Sequence, residues 1–422
     1  MNSVSLAGDI AATREAVDSI TDVKQPGACP PSLLALTMGC FCIGTTEFLP
    51  AALLPTIAAD LKVTLSSAGL LISGYALGVT LLTPFLASFS SGISRKPLLI
   101  GLMVIFAITN LAAAFAPNYE TLLAIRFLSA IPHGVFIALA STAVSSLVAK
   151  GREAGAIGIL FSGLSIAMAT VVPAGAILGQ LVGWRMAFAA TSGLGLLTII
   201  SIGMFVPKLP LSENRLSLGR QFAALMHPQL LLALAMTAVG YTGTFATLSY
   251  MTAFLEEVSG FSPTMVTMLF ALLGVCVTFG NLVGGRVADR GLHPALVGGY
   301  ALVAVSLLAL WLAAPYQIAV VPAFLLFAFT MFAPGAGLQL LAVEQARRYL
   351  PGAEDVAAGL NQSAFNLGIA IGALVGGQVV ASPLGLAATP AISILPVVMA
   401  IGLSAWSWKR DTNSRELAAE SA

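Results

Sequence analysis

Glu47 is a single carboxylate in the middle of a long apolar run. It lies in Phe41-Cys42-Ile43-Gly44-Thr45-Thr46-Glu47-Phe48-Leu49-Pro50, within an apolar segment from about Leu33 to Ile57. Roughly 20 apolar residues suffice for a helix to cross a bilayer. A charge at the centre of such a helix costs about 2.5–3.5 kcal/mol or more, so it normally faces a cavity or a partner and has a function. Pro50 has no backbone N–H, which frees the carbonyl of Thr46 four residues earlier. A turn loosened in this way can hydrate a carboxyl group. The alternative is a protonated Glu47 satisfied by a neighbouring helix.

Two more chemistry-bearing residues share the apolar segment from 119 to 147. Arg126 keeps its charge when buried. Along a helix it lies roughly 10 Å from the outer end of its span, and Glu47 roughly 15 Å from the outer end of its own, so a direct pair or a linkage through water is feasible. Arg126 could equally hold backbone carbonyls in place. His133, two turns further in, could relay a proton or sit as a satisfied structural histidine beside Gly134. No Ser/His/Asp constellation, paired intramembrane carboxylates or metal-ligand spacing accompanies them, which argues against a polytopic membrane enzyme. The histidines His133, His227 and His293 are scattered, and the cysteines Cys29, Cys40, Cys42 and Cys276 form no CxxC. No cofactor is expected.

The elements that position these groups are membrane helices. Of 422 residues, 58% are hydrophobic and 9% charged, against about 25% charged in a soluble domain. About twelve apolar spans are legible, near 33–57, 68–90, 98–115, 119–147, 155–178, 186–206, 229–252, 262–284, 295–313, 317–345, 356–380 and 386–408. The fourth and tenth are long for a bilayer, which tilt or a helical extension would explain. Sixteen of the nineteen Lys and Arg residues fall on the N-terminal side, only Lys62 and Arg185 on the other, and Arg126 within a span. The positive-inside rule therefore places both termini in the cytoplasm. Residues 1–32 read as a cytosolic tail, 33–206 as a first six-helix half, 207–228 as a cytosolic linker, 229–408 as a second half and 409–422 as a cytosolic tail.

A repeat of about 195 residues supports two pseudo-symmetric halves: Ser94-Arg95-Lys96-Pro97 is matched by Asp289-Arg290-Gly291-Leu292-His293-Pro294, and Gly179-Gln180 by Gly377-Gln378. Arg95, Arg286, Asp289 and Arg290 form the candidate gating loops. The Asp289 carboxylate is suited to cap a helix N-terminus, and the pseudo-symmetry selects that of the fifth span, near Gly155. GxxxG spacing recurs at Gly74/Gly78, Gly175/Gly179, Gly280/Gly284 and Gly368/Gly372/Gly376, on every third span. These glycines are expected to form sliding seams where the halves meet. The second half has no counterpart of Glu47 or Arg126 and offers instead Tyr241, Tyr250, Asn281, Gln339, Asn361, Gln362 and Asn366. It reads as a neutral binding wall, with the tyrosines for stacking and the amides for hydrogen bonds.

Together these residues resemble the major facilitator superfamily, in its twelve-helix drug:proton antiporter branch, and within it the bacterial arabinose-, sugar- and nucleoside-efflux-like permeases. The resemblance rests on Gly44-Thr45-Thr46-Glu47-Phe48, on Ala68 to Tyr75, on Arg126 with His133-Gly134, on Pro173 to Phe188, on Gly285 to Arg290 and on Asn361 to Gly377. The first-half loop departs from the pattern by lacking its aspartate. The resemblance implies an all-α polytopic protein of the bacterial inner membrane that exports a small molecule by alternating access, driven by the proton gradient. Glu47 would carry the proton, Arg126 tune it and His133 relay. Proton-linked uptake uses the same parts. A lone dianion would need more positive charge than Arg126 supplies, so the expected cargo is neutral or weakly cationic: a drug, a sugar or a nucleoside-like compound. The expected partners are that solute, protons and lipid, with no nucleic acid, and the expected state is a monomer.

Overall fold

The structure is a computed structural model that describes residues 31–63, 65–90, 93–208 and 226–420. Residues 1–30, with Cys29, and most of the linker lie outside the described residues. The described chain is helical. We number its helices α1 (Pro31–Leu61), α2 (Leu65–Ser90), α3 (Arg95–Ala114), α4 (Tyr119–Leu128), α5 (Ile131–Leu147), α6 (Glu153–Leu181), α7 (Trp184–Phe205), α8 (Pro228–Leu248), α9 (Pro263–Arg290), α10 (Leu292–Ala313), α11 (Gln317–Thr330), α12 (Gly335–Tyr349), α13 (Glu354–Ala381) and α14 (Thr389–Glu420). A π-helical turn at Phe254–Val258 follows α8. Eleven segments are long and apolar enough to cross a membrane, and the apolar stretch of α2 supplies a shorter twelfth. The chain is a multi-pass membrane protein of two six-span halves, with both ends of the helical bundle on one face.

The two over-long spans are broken rather than tilted. Each consists of two helices, α4 with α5 and α11 with α12. A proline stands at each break, Pro132 in the first turn of α5 and Pro334 at the N-cap of α12. Each lacks an N–H and so cannot continue the ladder of the preceding helix. Beyond the breaks the chain is enclosed: Pro132 to Ser145 and Gly335 to Val343 are buried without interruption. Helices α3, α7, α10 and α14 instead turn large apolar side chains outward, among them Ile108, Ile200, Val305 and Met399. These four form the lipid-facing flanks. Helix α14 also runs on through residues expected to be a free tail, and Asp411 ties it to His293 at 3.0 Å and Arg348 at 3.5 Å.

The glycine motifs pack within halves, not between them. A Cβ on Gly74 or Gly78 would meet Leu123, Ala130 and Phe127 of the fourth span, and one on Gly179 would meet Leu53 of α1. Gly280 and Gly284 face the carbonyls of Phe329 and Ala333 in the tenth span. Gly368, Gly372 and Gly376 face those of Ala238, Thr242 and Ala246 on α8. Gly175, also buried, shares α6 with Gly179. Each half is therefore a rigid unit locked by close backbone contacts. The boundary between halves uses other small residues: Gly285 against the Ala154 carbonyl, Gly158 against that of Asn281, and Gly274 against Ala169.

Overpacking gives a direct check. A Cβ at Gly372 would lie 2.6 Å from the Thr242 carbonyl oxygen, while Gly402 has open space. Gly372→Leu is expected to destabilise the protein by roughly 1–3 kcal/mol or more. Gly402→Leu should leave the melting temperature near that of the native protein, as read by thermal denaturation in detergent.

Candidate functional site

Three contacts fix the turn that carries Glu47. The hydroxyl of Thr46 donates to Asn110 Oδ1 on α3 at 3.1 Å. The Thr46 carbonyl, which Pro50 leaves without a helical donor, accepts from Arg126 Nη1 at 3.0 Å. On the α6 side, Gly44 packs against Leu164 and Ala167 with no room for a side chain. Arg126 itself occupies the last turn of α4, just before the break, and Ser129 Oγ donates to its carbonyl at 2.7 Å. Its guanidinium lies over the ring of Tyr75, 4.4 Å from the centroid, a cation–π contact that offsets part of the cost of burial. Arg126 Nε makes a long 3.5 Å contact with the Leu71 carbonyl, and Nη2 has no protein partner.

Arg126 and Glu47 are thus neighbours without a direct ion pair. Arg126 holds the backbone of the preceding residue and leaves the Glu47 carboxyl free of protein hydrogen bonds, facing a central cavity of about 250 Å³. His133 lines the same cavity, and its Nδ1 lies 2.8 Å from the Tyr75 hydroxyl. Tyr75 therefore joins Arg126 to His133. Sequence reasoning missed that role, although Tyr75 stood in the quoted Ala68–Tyr75 stretch. A tyrosine on an apolar span carries no local signal of its partners.

The second half supplies the opposite wall. Tyr241, Asn281, Asn361 and Asn366 line the cavity, with Phe245, Phe332 and Phe365. Two residues expected on the wall do not reach it. Tyr250 lies beyond the end of α8, where Gly376 and Gly377 leave space, and its hydroxyl donates to the Ala373 carbonyl at 3.0 Å. Gln339 is fully buried behind the wall, and its Oε1 accepts from Asn361 Nδ2 at 2.6 Å and from Gln362 Nε2 at 3.3 Å. Both are supports rather than lining groups.

On the face that carries the chain ends, the halves are latched together. Asp289 accepts hydrogen bonds from the N–H groups of Ala154 and Gly155, at 2.8 and 2.9 Å, in the first turn of α6. The cap expected from pseudo-symmetry is present, and a carboxylate at a helix N-terminus is favourable. Its neighbours Arg286 and Arg290 are exposed and form no ion pair among the described residues. The segment that holds them is the last turn of α9 rather than a loop, so only Asp289 of that group latches the halves.

The first-half loop lacks the matching aspartate, and the chain solves this in reverse. Arg95 grips Asp355 at the start of α13 in a fork, Nε to Oδ2 at 3.2 Å and Nη2 to Oδ1 at 3.1 Å. The hydroxyl of Thr142 also donates to Asp355. Asp355 carried no motif in the sequence, because its partner lies 260 positions away. Beneath this latch Ala138, Val343 and Ala358 form a fully buried cluster across the two halves.

A helical bundle of two six-span halves around a central polar-and-aromatic cavity defines a polytopic membrane transporter. The profile described as Major Facilitator Superfamily matches residues 36–373. The chain is 39% identical over 386 residues to the Bacillus subtilis protein described as an uncharacterized MFS-type transporter, YtbD, covering 92% of this chain and 97% of the relative. To the inner membrane transport protein YdhP of Escherichia coli K12 it is 36% identical over 369 residues, 87% and 94% of the two chains. Its fold matches that of the E. coli fucose:proton symporter FucP in the outward conformation, with a TM-score of 0.73 at 16% identity over 89% of this chain and 98% of the other. The proton:xylose symporter XylE gives a TM-score of 0.72 at 14% identity, over 90% and 95%. The chain belongs to the major facilitator superfamily. It is a transporter and not an enzyme.

The latches predict how the closed face behaves. Consider a cysteine placed at Ala138 in a background freed of native cysteines. Removing both latch carboxylates with Asp289→Asn and Asp355→Asn should raise its maleimide labelling rate about tenfold or more, the factor that corresponds to roughly 1.4 kcal/mol. An unchanged rate would show that the closed face is held by other contacts.

Proposed function

We propose that this protein is a proton-coupled exporter of the bacterial inner membrane, with both termini in the cytoplasm, working as a monomer on a neutral or weakly cationic small molecule. The observation that carries the reading is Glu47, a carboxylate without protein partners that faces the central cavity beside a permanently charged Arg126. Such a group can take a proton from one side of the membrane and release it to the other as the halves rock about the midplane. Arg126 favours the ionised carboxylate and so biases proton release, while Tyr75 and His133 offer a hydrogen-bonded route along the cavity wall. The charge count supports the orientation: the latched face carries the excess of Lys and Arg and is cytoplasmic by the positive-inside rule. In that state the cavity is shut toward the cytoplasm.

Proton-linked uptake is the second reading. Its support is the fold shared with two proton symporters, and it uses the same carboxylate. Exchange of one proton for a neutral solute moves net positive charge inward in either mode. The two modes differ in whether solute moves against or with the proton.

Proteoliposomes separate these cases. Glu47→Gln keeps the shape of the side chain but cannot titrate, so gradient-driven transport and the associated solid-supported-membrane currents should be lost while insertion and melting temperature are retained. Full gradient-driven transport by Glu47→Gln would remove the carboxylate from the coupling mechanism. Solute accumulation in vesicles whose interior is acid supports export; accumulation only when the exterior is acid supports uptake.

A further inference from the structure

The orientation of the cavity amides is fixed by a chain of hydrogen bonds, and it leaves oxygens rather than nitrogens unpartnered. Gln339 Nε2 donates to the Ala358 carbonyl at 3.3 Å, which can only accept. Gln339 Oε1 must therefore accept, and it does so from Asn361 Nδ2 and Gln362 Nε2. Asn361 Oδ1 in turn accepts from the Thr237 hydroxyl at 2.6 Å. Asn366 Nδ2 donates to the Gln362 carbonyl at 2.9 Å. Asn281 Nδ2 donates at 2.8 Å to Ser165 Oγ, whose own proton goes to the Phe161 carbonyl. Each of these amide nitrogens is engaged. The Oε1 of Gln362 and the Oδ1 of Asn281 and of Asn366 accept no hydrogen bond from the described residues, and Asn281 Oδ1 is a fully buried orphan. All three side chains line the cavity, as does the carboxyl of Glu47.

Against these acceptors stands a cluster of rings. Tyr241 and Phe365 meet edge to face at 4.5 Å, Phe245 and Phe332 at 6.1 Å, and Phe332 and Phe365 at 6.0 Å. Aromatic pairs in this geometry present ring faces and edges on which a further flat group can pack. A buried acceptor left unpaired costs about 1–3 kcal/mol, so a solute that brings O–H or N–H groups relieves a cost already built into the empty site. A solute carrying only acceptors, or an anion, does not.

We infer that the cavity selects a compound joining a planar ring to hydrogen-bond-donating hydroxyl or amine groups, the ring on the Tyr241–Phe365 cluster and the donors on Asn281, Gln362 and Asn366. This deepens the transport reading and rests on the cavity being the substrate site. The class excludes anions, small ring-free polyols and ring compounds whose donors are blocked.

Equilibrium calorimetry on the full chain in lipid nanodiscs, free of glycoside detergent and without a proton gradient, tests it with defined probes. Phenyl β-D-glucopyranoside carries both features. Methyl β-D-glucopyranoside lacks the ring, phenyl tetra-O-methyl-β-D-glucopyranoside lacks the donors, and phthalate is a ring with anionic acceptors. Phenyl glucoside is expected to bind about tenfold or more tightly than the other three, the factor worth roughly 1.4 kcal/mol. Asn366→Leu and Gln362→Leu should each weaken it roughly fivefold to tenfold, as loss of about one hydrogen bond predicts, at unchanged melting temperature. The comparison of probes on the native protein stands even if a variant folds poorly. Equal binding of the methylated ether, tighter binding of phthalate or no binding of phenyl glucoside would overturn the inference. Because no gradient is used, loss of proton coupling would leave the ranking intact, and a failed ranking would leave the Glu47→Gln result intact.

Discussion

A guanidinium cannot shed its proton inside a membrane protein, and the first half of this transporter is arranged around that constraint. Arg126 is almost wholly buried. Its charge is met by a main-chain carbonyl and an aromatic face, not by a carboxylate. The carbonyl is available because Pro50, one turn later on α1, donates nothing to it. One proline thus supplies the acceptor that anchors α4 to α1. The same anchor orients the next residue, Glu47, into the cavity. The helix break after Leu128 belongs to the same arrangement, since it places Arg126 on a short last turn and starts the enclosed α5 that carries His133.

The two halves divide the work. The first holds the charged and titratable groups of the cavity. The second offers amides locked through Gln339 and a packed set of rings. Within each half, backbone contacts at glycines leave little freedom. Between halves, the latches on the end-bearing face are a carboxylate on a helix N-terminus and an arginine–carboxylate fork. Both are polar, partly exposed and bonded through few atoms. Such contacts can be exchanged for water at modest cost, whereas the close contacts inside the halves cannot. This difference is the physical basis for rigid halves moving about a central site.

Much of this was legible in the sequence because it depends on local chemistry. Twelve spans, the lone acid, the internal arginine and the asymmetry of the halves follow from which residues interrupt apolar runs. The Thr46 carbonyl freed by Pro50 follows from one missing N–H, and the Asp289 cap on α6 from the repeat. What stayed hidden depends on which helix faces which. GxxxG spacing announces a close neighbour but not its identity, so the glycines of α13 were set at the boundary between halves when they pack on α8. Tyr250 and Gln339 are polar residues on apolar spans, and nothing local separates a wall from its support. Tyr75 and Asp355 gain their roles from partners on distant spans.

The proposed proton exchange at Glu47 is read most directly by infrared difference spectroscopy of the protein in lipid, titrated from about pH 5 to about pH 9, the range that brackets the shifted carboxyl groups of folded proteins. A protonated-carboxyl stretch should disappear as the pH rises, with a matching gain of carboxylate bands, and the feature should be absent in Glu47→Gln. Its persistence in Glu47→Gln, or a native spectrum with no titrating carboxyl across that range, would contradict the assignment of the proton to Glu47.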